Sequence, residues 1–404
     1  MATEEPVTAS LEENVKVFAA RALLKGTYNQ IHRVIYQPFI LNLNPSMTVL
    51  GLLEGLGGYQ GLLGAVIRPF FGWLSDRVQR KPFIDLGSHH TLLSITFFLL
   101  AGLTTHFYLV IPAILLMGIS LLDMPIVDSL FAESVPPRDR GTIYSRIMMM
   151  MMAPGIFAPF IGGFIADQVG FIEVFFIGLV IQFVIFFLII RYLRENPFPK
   201  QDLNVSEFYS FFKRNISPPK NLRNIYLLNM LDAFVVGMGP MLIIGLLRSH
   251  FNFSNFQLGI ISASWSLITT LAQIFMGRMI KQFGCKNVII ISYLTFVIYL
   301  GGIALAKNFL VVLLIHIFWG IAMAAWRPPL QTLMANSTTQ AERAEAMGRI
   351  SFYRGFFGFL SPFLGGILYE LYGYSAPLWA SFIGGIAVTA FIHFHIRVKD
   401  DKLI

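Results

Sequence analysis

The sequence predicts an all-α integral membrane protein of about twelve transmembrane helices, arranged as two pseudo-symmetric six-helix bundles. Three observations predict it. The chain is 55% hydrophobic and only 13% charged, where a soluble domain carries about 25% charge. It holds about a dozen stretches of roughly 20 mostly apolar residues, the length that crosses a bilayer as a helix. It also repeats itself. At a shift of 203 residues MPIVDSLFAESVPPRDRGTIYSRI (124–147) falls on RPPLQTLMANSTTQAERAEAMGRI (327–350), and GIFAPFIGG (155–163) falls on GFLSPFLGG (358–366).

In chain order, 1–17 is an acidic, polar segment without the basic and apolar regions of a secretory leader. Ser10 and Glu13 have capping-box spacing, so a helix is expected to start near Leu11. The first bundle is expected over 18–192, with spans at 18–42, 48–71, 84–104, 108–131, 143–166 and 171–192. A polar, proline-containing linker follows over 193–222. The second bundle covers 223–396, with spans at 223–248, 256–278, 286–306, 309–333, 347–369 and 376–396, and 397–404 forms a tail. The first span is the least apolar and would be missed by hydropathy alone.

Basic residues collect in alternate connections. Arg77, Arg80, Lys81, Arg138, Arg140, Arg278, Lys281, Lys286, Arg343, Lys399 and Lys402 share one side, and the other side offers little beyond Arg248 and Lys307. The positive-inside rule then puts both termini in the cytoplasm, in a cell membrane, plasma or inner. The same placement accounts for the net charge of +8 without a nucleic-acid partner. The single cysteine, Cys285, excludes an intrachain disulfide.

The connection after the second span reads Gly72, Leu74, Asp76, Arg77, Arg80, Lys81. With twelve spans, a half-repeat and a central linker, it resembles the signature G-x-L-x-D-R-x-G-R-K of the major facilitator superfamily, with Gln79 in place of one glycine. The resemblance covers almost the whole chain. It implies that Asp76 contacts the start of the eleventh span, near Ala346 to Arg349, and holds the cytoplasmic side closed. Glu133 and Arg140 have the E-x6-R spacing of sugar-porter relatives, and Glu133 is expected to pair with Arg80 or Arg146. GIFAPFIGG resembles the fifth-helix motif of proton-coupled drug antiporters. Gly155, Pro159, Gly162 and Gly163, with the repeat's Pro362, Gly365 and Gly366, are expected to pack helices closely.

Ionisable groups inside spans are costly, so each is a functional candidate. Asn29, Arg33 and Gln37 share one face of the first span, which the fold places on a central cavity. Asp123, Asp232, Trp326, Arg327, Tyr353 and Arg354 complete the candidate substrate site. Asp123, Asp232 and Glu54 are the proton candidates. A structural alternative pairs Arg33 with Asp123, and Asp232 with Arg327 or Arg354. No catalytic motif, metal cluster or cofactor site is found.

The resulting expectation is a secondary transporter for a small organic solute, acting as a monomer by alternating access and coupled to protons. Export of drug-like amphiphiles is favoured by the antiporter-like stretch. An organic-anion carrier using Arg33, Arg327 and Arg354 is the alternative, and a non-transporting receptor a distant one.

Overall fold

The computed structural model describes residues 5–58, 61–136, 139–195, 213, 222–338, 340–399 and 402–403. Most of the expected linker (196–212 and 214–221), Arg138, and the side chains of Arg343, Lys399 and Lys402 lie outside that description.

Among the described residues, twelve helices, some of them broken, follow in order. α1 is Glu5–Asn42. α2 is broken into Met47–Gly57 and Leu62–Ser75, and α3 is Lys81–Thr104. α4 comprises Val110–Ser120 and Asp123–Ser134, α5 comprises Arg140–Met152 and Ala158–Gln168, and α6 is Phe171–Tyr192. In the second half α7 comprises Arg223–Met238 and Ile243–Phe251. α8 and α9 form the continuous stretch Asn255–Leu305, α10 is Phe309–Ser337, α11 comprises Gln340–Gly358 and Leu360–Tyr372, and α12 is Ser375–His395. A two-stranded antiparallel hairpin, β1 (Val398–Lys399) with β2 (Lys402–Leu403), sits in the tail.

The expected loop at 277–286 is instead a single break at Gly284, whose φ of +74° only glycine adopts readily. Helix α1 does not start at Leu11 but already at Glu5. Hydropathy alone picks out eight helices, plus the α7 pair bent by 42°. The stretch that holds α8 and α9 counts there as one, and α1 and α11 are missed because both carry polar residues through the membrane.

With an even number of spans both termini lie on one face, here called the terminal face, and the other is the distal face. The halves meet most tightly on the distal side, through glycines of the repeated motif. A Cβ at Gly163 would strike the Asn255 backbone, and one at Gly366 would strike the backbone of Met47 and Thr48. Gly51 abuts Pro362, and Gly259 abuts Pro159 and Phe160. These contacts join α5 to α8 and α2 to α11, so the motif and its repeat do the same job at two places. Gly162 packs on Ile31 of α1, Gly365 on Met238 of α7, and Gly155 faces Gln30 and Ser266.

Near the terminal face the situation reverses. A Cβ at Gly72, Gly277 or Gly348 would meet nothing within 4 Å. Small residues there stand beside open space.

Gly51→Ala tests the distal seal. Its methyl would meet the Pro362 and Phe363 backbone, which cannot yield as a side chain can. Overpacking of this kind costs about 1–3 kcal/mol, and the unfolding midpoint in detergent should fall by several degrees.

Candidate functional site

The polar groups of α1 take three different environments along the helix. Arg33 is exposed, and its guanidinium lies 4.4 Å from the centre of the Trp265 ring on α8. Solvent therefore reaches a cation that faces the opposite half. Asn29, one turn toward the terminal face, is half-buried. Gln37, one turn toward the distal face, is 3% exposed. It does not line open space, as its shared face with Arg33 predicted, but closes the seam. Its Nε2 donates to the Met241 carbonyl at 2.8 Å, and its Oε1 accepts from the Gly245 N–H at 2.8 Å, both on α7. Its Nε2 also donates to Glu54 on α2. Glu54 is buried and, among the described residues, has no cation within ion-pair distance.

The ion pair Arg33–Asp123 is not formed. Asp123 opens the second piece of α4 and is 0% exposed. It pairs with Arg21 at 2.5 Å and with Lys25 at 3.1 Å, one helical turn apart on α1. Arg33 lies twelve positions beyond Arg21, which is about 18 Å along a helix. It is out of reach of Asp123. Sequence reading missed both cations, although they stand four apart in the span and a buried acid needs such a partner.

In the second half Asp232 on α7 pairs with Arg354 on α11, one of the two expected partners. Tyr293 on α9 donates its hydroxyl to the same carboxylate at 2.5 Å, a contact no sequence spacing signalled. Arg327 on α10 is exposed and makes no ion pair among the described residues. Trp326 and Tyr353 are each 8% exposed and packed in the core, Trp326 on Tyr293 and Tyr353 on Tyr226. They do not face open space as expected, because their rings turn into the second bundle. Asp128, also missed, is exposed on α4 and reaches only the Tyr144 hydroxyl, at 3.5 Å.

Two solvent-reached arginines, one per half, thus stand near mid-membrane. Gln37 seals the distal side directly above Arg33. Open glycines lie on the terminal side. Among the described glycines, Gly373 toward the distal face also has open space beside it.

At that face the motif groups form a cluster. Arg80 is shared between Asp76, at 3.0 Å, and Glu133. Glu133 takes the first of its two expected partners. Asp76 does not cap the eleventh helix. Its side chain is 56% exposed and its partner is Arg80. Glu195, just past α6, accepts from the backbone N–H groups of Arg80 and Lys81 at 2.7 and 2.8 Å and so caps α3. Arg77 lies 4.3 Å from the Trp73 ring. Lys81 donates to the Ile190 carbonyl, and Arg140 to that of Val135. Arg146 is exposed, whereas Arg349 is 8% exposed. Among the described residues no group of three or more His, Cys, Asp or Glu is placed to hold a metal.

The sequence matches the model of the Major Facilitator Superfamily over residues 22–224 and again over 224–403. The chain belongs to this superfamily. Among its relatives is the multidrug resistance protein MdtG of Klebsiella pneumoniae, strain 342, 25% identical over 326 residues, or 78% of this chain and 76% of that protein. MdtG of Salmonella typhi is 24% identical over 321 residues, 78% of each chain. Among solved structures, the nucleoside transporter NupG superposes with a TM-score of 0.73 at 14% identity, covering 95% of this chain and 99% of that one. The human organic anion transporter MFSD10 (TETRAN) gives 0.69 at 17% identity, covering 95% and 99%. A D-xylose-proton symporter gives 0.69 at 15%, covering 98% and 99%. These likenesses establish a superfamily transporter fold of two six-helix halves.

Asp123→Asn removes one charge and leaves Arg21 and Lys25 buried beside each other. Breaking a buried ion pair costs about 3–5 kcal/mol. The unfolding midpoint should drop sharply, and Lys25→Met added to Asp123→Asn should restore part of the loss. Additive losses in that double-mutant cycle would show that the three groups do not act together.

Proposed function

We propose that this chain is a proton-coupled secondary transporter that exports small amphiphilic organic anions by alternating access. The observation that carries the reading is the placement of Arg33 and Arg327. Each half contributes one solvent-reached arginine, while Asp123 and Asp232 are already neutralised by Arg21, Lys25 and Arg354. An anion entering the cleft meets an exposed arginine from each half. The Trp265 ring beside Arg33 adds an aromatic surface suited to an amphiphile. Proton coupling is assigned to Glu54, the buried acid hydrogen-bonded to the neutral amide of Gln37, with Arg33 as its nearby charge. It bridges to Gln37, which itself spans the halves, so its protonation and the seam are linked.

Relatives named for multidrug resistance support export as the direction of transport. Resistance is served by removing compounds from the cell. By the positive-inside rule the terminal face is cytoplasmic, and the structure is then the inward-facing member of the cycle. Asp76 and its neighbours act as the gate that closes this face in the other state. A second reading, broad efflux of lipophilic cations, draws on Asp128, exposed on α4 and without an ion pair among the described residues.

Thermal unfolding in detergent separates the two. A ligand that prefers the folded state at 100 times its Kd contributes about 2.7 kcal/mol. Aromatic carboxylates should raise the midpoint of the parent and lose that effect in Arg33→Ala and in Arg327→Ala. Stabilisation by lipophilic cations that survives both changes and vanishes in Asp128→Asn would replace the anion reading. For coupling, Glu54→Gln in proteoliposomes should abolish transport driven by a pH gradient while counterflow exchange of substrate persists. Undiminished gradient-driven transport would remove Glu54 from the role.

A further inference from the structure

On the distal face two acids that the transport reading leaves unused make the same contact at two places. Glu370 ends α11. Its carboxylate accepts from the Thr48 N–H at 3.0 Å and the Thr48 hydroxyl at 2.7 Å, in the first turn of α2. Asp167 ends α5. Its carboxylate accepts from the N–H groups of Asn255 and Phe256 at 3.0 and 2.8 Å, and from the Asn255 side chain at 2.8 Å, in the first turn of α8. In both helices the N-cap serine then takes the next free N–H. Ser46 accepts from Val49 and Ser254 from Gln257, each at 3.2 Å. The shift of 203 residues that superposes the halves carries Asp167 onto Glu370.

We infer that Asp167 and Glu370 are a paired latch, each carboxylate capping a helix of the opposite half and holding the distal face closed. The first N–H groups of a helix lack internal partners, and the helix dipole favours a negative charge there. Hydrogen bonds to an ionised acceptor are roughly twice as strong as neutral ones. Both caps cross the boundary between halves, so both must break when the distal face opens. The glycines beside them (Gly163 against Asn255, Gly366 against Met47) bring the two helix pairs close enough for the carboxylates to reach.

The terminal face supplies the counterpart. Asp76, the acid expected to cap the eleventh helix, is instead exposed and paired with Arg80. Distal caps are made while the terminal one is broken, as a device that alternates requires. The latch rests on the alternating-access reading, and its test must separate the two.

Leu50 on α2 is 0% exposed and lies against Gly245 of α7 in the distal seam. In a Cys285→Ala background, Leu50→Cys reports distal opening through its rate of maleimide labelling on purified, monodisperse protein. Asp167→Asn and Glu370→Gln should each raise that rate roughly threefold, and the pair roughly tenfold, from the loss of the charge at each helix start. Asp76→Asn, which weakens the opposite gate, should lower it. Both acids are exposed, and each variant is read separately, so one that fails to fold leaves the other decisive. Labelling unmoved by the two distal changes but lowered by Asp76→Asn would overturn the latch and leave alternating access standing. Labelling identical in every background would overturn both.

Discussion

The cost of a charge in a membrane organises this molecule. A carboxylate in the hydrocarbon layer has no water to solvate it, so the fold supplies either a cation or a seam. Asp123 is met by Arg21 and Lys25, and Asp232 by Arg354 with the Tyr293 hydroxyl. These pairings lock α1 to α4 and α7 to α11 within their halves. Arg33 on α1, Asp128 on α4 and Arg327 on α10 stay exposed beside these pairs. The internal pairs thereby decide which residues remain for a ligand, without touching it themselves.

The boundary between halves obeys a different rule. The ion pairs among the described residues each lie within one half, and the interface between halves is made of other contacts. It uses backbone contact at glycine, bridging amides at Gln37 and Asn255, and carboxylates at helix starts. None of these needs a buried ion pair, whose rupture would be prohibitive on every cycle. Gly51, Gly163, Gly259 and Gly366 give surfaces that fit when closed and expose little polar area when open. The terminal-side glycines Gly72, Gly277 and Gly348 stand idle in this state. Their lack of side chains leaves room for the same kind of closure there.

The architecture was legible because it is written in periodicity and composition. Apolar length marks the spans, and a shift of 203 residues exposes the two halves. Two partners were open for Glu133, Arg80 or Arg146, and two for Asp232, Arg327 or Arg354; the structure takes Arg80 and Arg354. Where depth was misjudged, the reading failed. Arg33 is too far along α1 to reach Asp123, and the closer cations, Arg21 and Lys25, lie near the start of the same span. Rotation about a helix axis was harder still. Gln37 shares a face with Arg33 by spacing, yet α7 covers it, and Trp326 sits next to an exposed arginine while packing inward. A one-dimensional pattern fixes which face a residue occupies, but the neighbour against that face comes from tertiary packing.

Arg33 and Trp265 show how such a cleft can bind and still let go. The guanidinium lies over the indole of the opposite half, an interaction worth about 0.5–1 kcal/mol where solvent reaches it. An entering carboxylate can pair with the edge of the guanidinium while the ring keeps its face, because the two use different surfaces of one planar cation. Binding then adds to the contact between halves instead of competing with it. An anion of the proposed kind favours a state in which α1 and α8 are close, and any state that parts them must give up the contact. The affinity a transporter can use is bounded by this requirement. A cation–π contact is weak enough to break in each cycle, where a buried lysine–aspartate pair such as Lys25–Asp123 is not.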